Sequence, residues 1–240
     1  MEKNKSKNNI EKIQTSTYCV AYLDFLGAKN LMKKNDDKFL NDLNAIYFEA
    51  INEIDLTNEI NQKDIYTKIF SDNILLAIEI EKNDKNENAK IEKIAQLTGY
   101  LYDRALSYGY LLRGAITKGK FYKDNNDIFV YGKALIDAVE IEENLAIYPR
   151  IVIDKSIQNY VQSCLKKCSD GCFALQNFLF YGAEHIFKDK LIEMYGKFYK
   201  DEKIKQKIMW VINNFNEFYG IRENSRPIQI TEEDLTNATK

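Results

Sequence analysis

A chain of 240 residues, 45% hydrophobic and 29% charged, is long enough to bury one sizeable core and to carry an appended region. Its net charge of -2 gives no electrostatic footing for nucleic acid as a bulk partner. No stretch approaches the roughly 20 uncharged apolar residues of a membrane helix, and the polar start Met1 to Asn9 lacks the apolar core of an export signal, so the expected location is cytoplasmic.

Residues 1–16 read as a Lys/Asn-rich, frayed arm. The first strand is expected over Tyr18 to Leu23, an apolar run that ends in Asp24 and breaks at Gly27. A helical pattern follows through Leu31, Phe39, Leu43, Ile46, Ala50, Ile51 and Ile54, with an early break at Asn35-Asp-Asp, and Asn58 to Asp64 is a polar connection. Strands over Ile65 to Phe70 and Asn73 to Ile80 flank Ser71-Asp72, where a tight hairpin turn holds a carboxylate at its tip. Ala89 to Ser107 has the spacing of a packed helix and stops at Gly109.

Tyr110 to Phe121 is a strand containing Arg113-Gly114, and Ile128 to Tyr131 is a short strand. A helix opens on Gly132 and runs to Asn144, and the strand Tyr148 to Asp154 closes the block. Two β-α-β units around a central hairpin predict an α+β, ferredoxin-like palm over residues 17–155, with its helices on one face. Residues 156–220 are rich in aromatics spaced by Lys and Glu, which predicts a mainly helical C-terminal appendage. Residues 221–240 are expected to be a loose polar tail.

Four cysteines make no disulfide framework in a chain of this length. Cys164, Cys168 and Cys172 recur every fourth residue and would share one face of a helix, but Gly171 interrupts such a helix, and His185, the only histidine, lies well downstream. A zinc site and reduced, partly buried thiols are the two readings; the composition favours the thiols.

Asp24 and Asp72 are single acids set in strongly apolar runs. Burying a carboxylate is costly unless a cation compensates it, and the cation is either an Arg or Lys partner or a divalent metal. An α+β palm that offers one acid at the end of its first strand and another at its central hairpin suits two Mg²⁺ or Mn²⁺ ions serving phosphoryl transfer. The plainer alternatives are that Asp24 caps the helix after Gly27 and that Asp72 terminates a strand. Arg113 and Arg150 are candidate triphosphate contacts, and Gly27 and Gly132 are places where backbone can approach phosphate. For Arg113 the alternative is an ion pair to a carboxylate on a neighbouring strand. Lys68 reads from the residues alone as a solvated strand residue.

The order of these motifs resembles the class III nucleotide cyclases over most of residues 18–154. Leu23-Asp-Phe-Leu-Gly27 matches the family's first metal strand, and Lys68-Ile-Phe-Ser-Asp72 its hairpin, with Ser71 in place of a glycine. The short forms at Leu23 to Gly27, Phe70 to Asp72, Leu112 to Gly114, Gly132 to Leu135 and Tyr148 to Ile151 are similar to those of the bacterial pyrimidine cyclases of the Pycsar anti-phage system. The resemblance implies conversion of UTP or CTP to a cyclic monophosphate that activates a separate effector. It further implies Mn²⁺ (or Mg²⁺), two per site, held by Asp24, Asp72 and the Phe25 carbonyl, and a site formed between the protomers of a homodimer. Catalysis would fall to Asp24, Asp72 and Arg113, with Phe25, Gly27, Lys68 and Arg150 around the nucleotide and Lys68 as its base contact. One helix departs from the family: Ile136 and Glu140 stand where those enzymes carry the Asn and Arg that steady the transition state. Arg113 or Lys118 would then supply the cation, or the chain is a catalytically silent, nucleotide-sensing relative. A palm polymerase relative is a third reading, weakened by the single acid of Phe70-Ser-Asp-Asn73.

Overall fold

The structure, a computed structural model, describes residues 13–33, 37–53, 62–126, 128–178, 183–220 and 228–240. Most of the N-terminal arm, the break at residues 34–36, most of the connection before residue 62 and the first part of the C-terminal tail lie outside the described residues.

Strand β1 (Ser16–Phe25) is central. Its alternation sends Cys19, Ala21, Leu23 and Phe25 into the main core, and Tyr18, Val20, Tyr22 and Asp24 to the opposite face. The hairpin of β2 (Ile65–Phe70) and β3 (Asn73–Ile80) lies on one side of β1, and β4 (Leu112–Lys123) on the other, all antiparallel to their neighbours. The order β2-β3-β1-β4 is that of the split β-α-β, ferredoxin-like arrangement expected from the sequence. Helices α1 (Ala28–Met32), α2 (Asp37–Asn52) and α3 (Glu87–Ser107) provide the crossovers. From α2, Phe39, Leu43, Ile46 and Ala50 meet Ile91, Ile94, Leu97 and Leu101 from α3 over the main-core face.

The expectation of helices on one face is corrected by α4 (Lys133–Leu145), which follows the two-residue β5 (Val130–Tyr131). Ala134 packs with Val20, Leu75 and Phe121, and Ala138 with Ala115 and Val152, on the face that α2 and α3 do not cover. Small residues at every fourth position let α4 lie close on the strands. β6 (Ile151–Ile153) then runs parallel to β4.

A second correction concerns residues after 156. Before any α-helix, β7 (Leu165–Lys167) and β8 (Phe173–Leu175) form a hairpin that extends the sheet from β6. The four-residue spacing of the cysteines imitates a helical period, but the chain turns between them. Cys168 N donates to the Cys172 carbonyl at 2.8 Å, and Gly171 takes the left-handed φ of 83° that the turn requires. All four cysteines are free, and among the described residues no group of three His, Cys, Asp or Glu is placed to hold a metal.

The mainly helical part is α5 (Glu184–Phe198), α6 (Glu202–Gly220) and α7 (Glu232–Ala238). Their core, with Phe187, Leu191, Val211 and Phe215, is shared with Leu106 and Leu111 of the palm. Within the described part of the expected loose tail, residues 228–240, α7 starts in a capping box between Thr231 and Asp234 and packs closely on Gly196 of α5. Among the described residues no helix is long and apolar enough to cross a membrane.

Candidate functional site

The site forms where β1 ends, on the sheet face that α4 covers. The register places Asp24 opposite Asn73 of β3 and opposite Arg113 of β4. The β2–β3 turn closes over this end: Phe25 N donates to the Asp72 carbonyl at 3.0 Å, which brings Asp72 beside Asp24. Ser71 holds a left-handed φ of 59° in that turn, which is the conformational demand behind the glycine of the resembled hairpin. Its hydroxyl donates to Asp72 Oδ1 at 2.9 Å, and Asn73 Nδ2 reaches the same oxygen at 3.3 Å. Tyr22 in turn fixes Asn73, its hydroxyl donating to Asn73 Oδ1 at 2.6 Å.

Arg113 is the hub. Its Nε–H donates to Asp24 Oδ2 at 3.0 Å, the cross-strand ion pair that was one of its two sequence readings. Glu142 of α4 brings Oε1 to 2.5 Å from the same Nε, yet the single hydrogen there points at Asp24, and Glu142 Oε1 accepts no hydrogen bond. The Glu142 side chain is only 4% exposed. Burial pushes its carboxyl up to about 7, with Asp24 and Glu143 adding to the rise and Arg113 opposing it. Burial also raises the Asp24 carboxyl, against the hydrogen bond and charge of Arg113 and the more distant charge of Lys207, while Asp72 pushes it further up. Tyr22 is driven to about 12 by burial and by the charges of Asp24, Glu142 and Asp72. Asp24, Asp72, Glu142 and Glu143, with Tyr22, Arg113 and Lys207, thus share a single electrostatic environment.

Glu142 and Lys207 escaped the sequence reading. Glu142 had a signal: Ala134, Ala138 and Glu142 fall on the one buried stripe of α4, so an acid sat in register with the core face. Lys207 had none, because its approach to Asp24 depends on where α6 docks.

The remaining candidates divide. Lys68 lies on edge strand β2 opposite Leu75, on the same sheet face as Asp24. Gly27 has a left-handed φ of 82° and open space where a Cβ would be, directly after the Asp24 strand. The Phe25 side chain is core, edge-on to Phe39 and Tyr110 at 5.6 and 6.1 Å, and its main chain forms the junction with Asp72. Arg150 is placed apart from these acids. It is 2% exposed, its guanidinium grips Asp170 through two nitrogens, and it donates to the Leu145 carbonyl at 2.6 Å, tying the end of α4 to the β7–β8 turn. Gly132 sits against Lys120 and Phe121, where a Cβ would lie 2.4 Å from a backbone oxygen, so it serves the packing of α4 on β4. Lys118 pairs with Glu87 further along β4, across from Cys19. Ile136 and Glu140 face outward from α4.

Of the residues gathered here, Asp24 and Asp72 carry carboxylate oxygens that could hold a divalent cation. Asp24 Oδ1 and Asp72 Oδ2 have no hydrogen-bond partner among the described residues. Hard carboxylate oxygens suit Mg²⁺ or Mn²⁺. Among the described residues no third acid is placed to share a metal, so further ligands would come from main chain, water or substrate.

No family model and no curated protein matches this chain. Among solved structures it is similar to a class III adenylyl cyclase-like ATP-binding protein from Pseudomonas aeruginosa, at 10% identity and a TM-score of 0.45, over 74% of this chain and 40% of that one. It is also similar to two structures of a bacterial light-regulated adenylyl cyclase, each at 11% identity over 83% of this chain and 59% of the other, with TM-scores of 0.42 and 0.41. The chain therefore spans 40% to 59% of the length of these structures.

Proposed function

We propose that this protein is a divalent-metal-dependent nucleotide cyclase that converts UTP or CTP to the 3′,5′-cyclic monophosphate and pyrophosphate. Its role would be to make a cytoplasmic second messenger in anti-phage defence, read by a separate effector. The observation that carries the reading is the convergence of Asp24 and Asp72, each with one unengaged carboxylate oxygen, beside Arg113 on one end of a palm sheet. The pyrimidine and anti-phage parts rest on the short motifs from Leu23 to Ile151.

In this reading Asp24 and Asp72 hold the metal, and the bound metal would lower the pKa of the ribose 3′ hydroxyl and offset triphosphate charge. The ribose 3′ oxygen attacks the α-phosphorus, the bond from that phosphorus to the β-phosphate oxygen breaks, and the hydroxyl proton passes to solvent. In this reading Arg113 would meet the phosphates, while Asp24 and Glu142 pair with its guanidinium at Nε. Tyr22 fixes Asn73 and thereby the turn that carries Asp72.

A second copy of the chain is the partner this face suits. Phe129 and Tyr131 beside β4, and Ile136 on α4, are apolar side chains left 46%, 66% and 55% exposed. The alternative, a nucleotide-sensing module without turnover, is favoured by one observation: exposed Ile136 and Glu140 stand where the Asn and Arg of active class III enzymes are expected. Pyrophosphate release from each of the four ribonucleoside triphosphates, with and without Mn²⁺, separates the two. Release from UTP or CTP alone supports the proposal, and triphosphate binding without release supports the silent module.

A further inference from the structure

We propose that Cys168 and Cys172, which oppose each other across the β7–β8 turn, form a reversible dithiol–disulfide pair, a site of oxidative modification whose oxidant is a small-molecule disulfide. The inference is independent of the reaction proposed above.

The first argument is the register of the hairpin. Lys167 pairs with Phe173, so the next residues inward, Cys168 and Cys172, close the turn. The Cys168 N–H donates to the Cys172 carbonyl at 2.8 Å, and the Gly171 N–H to the Cys168 carbonyl at 3.0 Å. This is the two-against-one pairing of a bulge built on a left-handed glycine. Side chains alternate along each strand, so both cysteines leave the hairpin on the face opposite Lys167 and Phe173. Hydrogen-bonded partners on antiparallel strands have Cα atoms roughly 5.5 Å apart. That separation lies inside the window of about 4.4–6.8 Å that a disulfide spans.

The second argument is that the turn is held in this form. Asp170 Oδ1 accepts the Cys172 N–H at 3.2 Å, and the same carboxylate is gripped by the buried Arg150, itself anchored on the Leu145 carbonyl. Burial opposes the Arg150 charge, while Asp170 and Cys168 sustain it and leave its pKa raised. Two thiols fixed opposite each other react as though at high effective concentration.

The third argument is elimination among the thiols. Cys19 is fully buried, and burial pushes its thiol up to about 12 against the charge of Lys118. Cys164 packs against the main core and donates to the Val161 carbonyl at 3.3 Å. It precedes Cys168 by four residues, on the order of 13 Å of extended chain, beyond the reach of a disulfide. Cys168 and Cys172 are half-buried and the three residues between them are exposed, which leaves both open to a small oxidant.

In the reaction, one cysteine thiolate attacks a sulfur of oxidised glutathione, whose S–S bond breaks and releases one glutathione thiolate. The other cysteine gives its proton to solvent and attacks the mixed disulfide, and the second glutathione leaves. Two electrons pass from the protein thiols to glutathione, and one S–S bond replaces another. In a reducing compartment such a bond persists only while oxidant is in excess, the behaviour of a redox-responsive disulfide and not of a structural one.

The test equilibrates the full chain in glutathione buffers of stepped ratio, blocks free thiols with iodoacetamide and digests with trypsin. Cleavage after Lys167 and Lys188 places Cys168 and Cys172 in one peptide and Cys164 in another. The expected product is the 168–188 peptide, unalkylated and two hydrogens lighter, with Cys164 alkylated. Its equilibrium constant should be at least about tenfold larger in the folded protein than in the urea-unfolded chain, a shift of about 30 mV. In Cys172→Ser a glutathione adduct on Cys168 should replace the internal bond, and Cys164→Ser should match the wild type. A constant no larger in the folded protein than in urea overturns the inference. So does a wild-type protein that carries glutathione adducts, or only alkylated thiols, at these two positions in the most oxidising buffer. Both wild-type measurements decide the point even where a variant fails to fold.

Discussion

Replacing Glu142 with Gln tests the electrostatics of the site through the stability of the whole protein. Glu142 is buried and its carboxyl titrates near 7, against an ordinary value of 4.5. At about 1.4 kcal/mol per unit, the difference corresponds to about 3 kcal/mol. The pKa is raised in the fold, so the group is protonated in both states below about pH 4.5 and costs nothing there. As pH rises from 4.5 through 7 the unfolded chain ionises first, and the folded protein loses stability relative to it. Gln cannot ionise. Glu142→Gln is therefore expected to match the wild type at pH 4 and to be about 3 kcal/mol more stable at pH 8, a gain of roughly 5–10 °C in Tm for a chain of this size. Differential scanning calorimetry of both proteins from pH 4 to pH 8 reads this directly. A variant that is less stable than the wild type at pH 8 would refute the reasoning, because it would mean that Glu142 is an ionised partner of Arg113 and that breaking the pair costs the fold.

Three further outcomes follow from particular contacts. Asp72→Asn should leave the unfolding free energy within about 1 kcal/mol of wild type, because its turn is held mainly by the backbone bond to Phe25 N, yet it should reduce Mn²⁺ binding measured by electron paramagnetic resonance at least tenfold. Arg150→Ala should cost about 2–4 kcal/mol in denaturant unfolding by unlatching Asp170 and the Leu145 carbonyl, with kcat/KM per folded molecule unchanged. Gly114→Ala should cost about 3 kcal/mol or more, since its Cβ would meet the Tyr22 carbonyl oxygen at 2.3 Å across the β1–β4 pair; wild-type stability there would contradict the register that pairs Asp24 with Arg113.

The palm was legible because its signals are local. Alternation along Tyr18 to Leu23, the two apolar runs around Ser71-Asp72 and the helical spacing before Gly109 each specify an element, and two β-α-β units then leave few topologies. Strand ends were misjudged where pairing extends beyond the apolar run, so β1 continues to Phe25, while β6 is only Ile151–Ile153, with the Arg150 carbonyl and the Asp154 N–H still bonded to Gly114 and Ile116 of β4 at its two ends. Three-residue strands such as β7 and β8 carry too little pattern to compete with a spurious four-residue cysteine period. At the site, both carboxylates and Arg113 were visible as polar residues in apolar strands. Glu142 was readable only once α4 was known to bury its Ala134–Ala138 stripe, and Lys207 only once α6 was docked. Arg150, a cation beside a conspicuous Tyr-Pro step, is buried and bonded to Asp170 and the Leu145 carbonyl, partners that its sequence neighbourhood did not announce.

The most direct test of the central claim is product analysis. The purified protein is incubated with Mn²⁺ and each of ATP, GTP, UTP and CTP, with Asp72→Asn alongside, and the products are analysed by mass spectrometry. The account predicts cyclic UMP or cyclic CMP from the wild type and none from Asp72→Asn. Absence of any cyclic nucleotide from all four substrates, or equal product from Asp72→Asn, would contradict it.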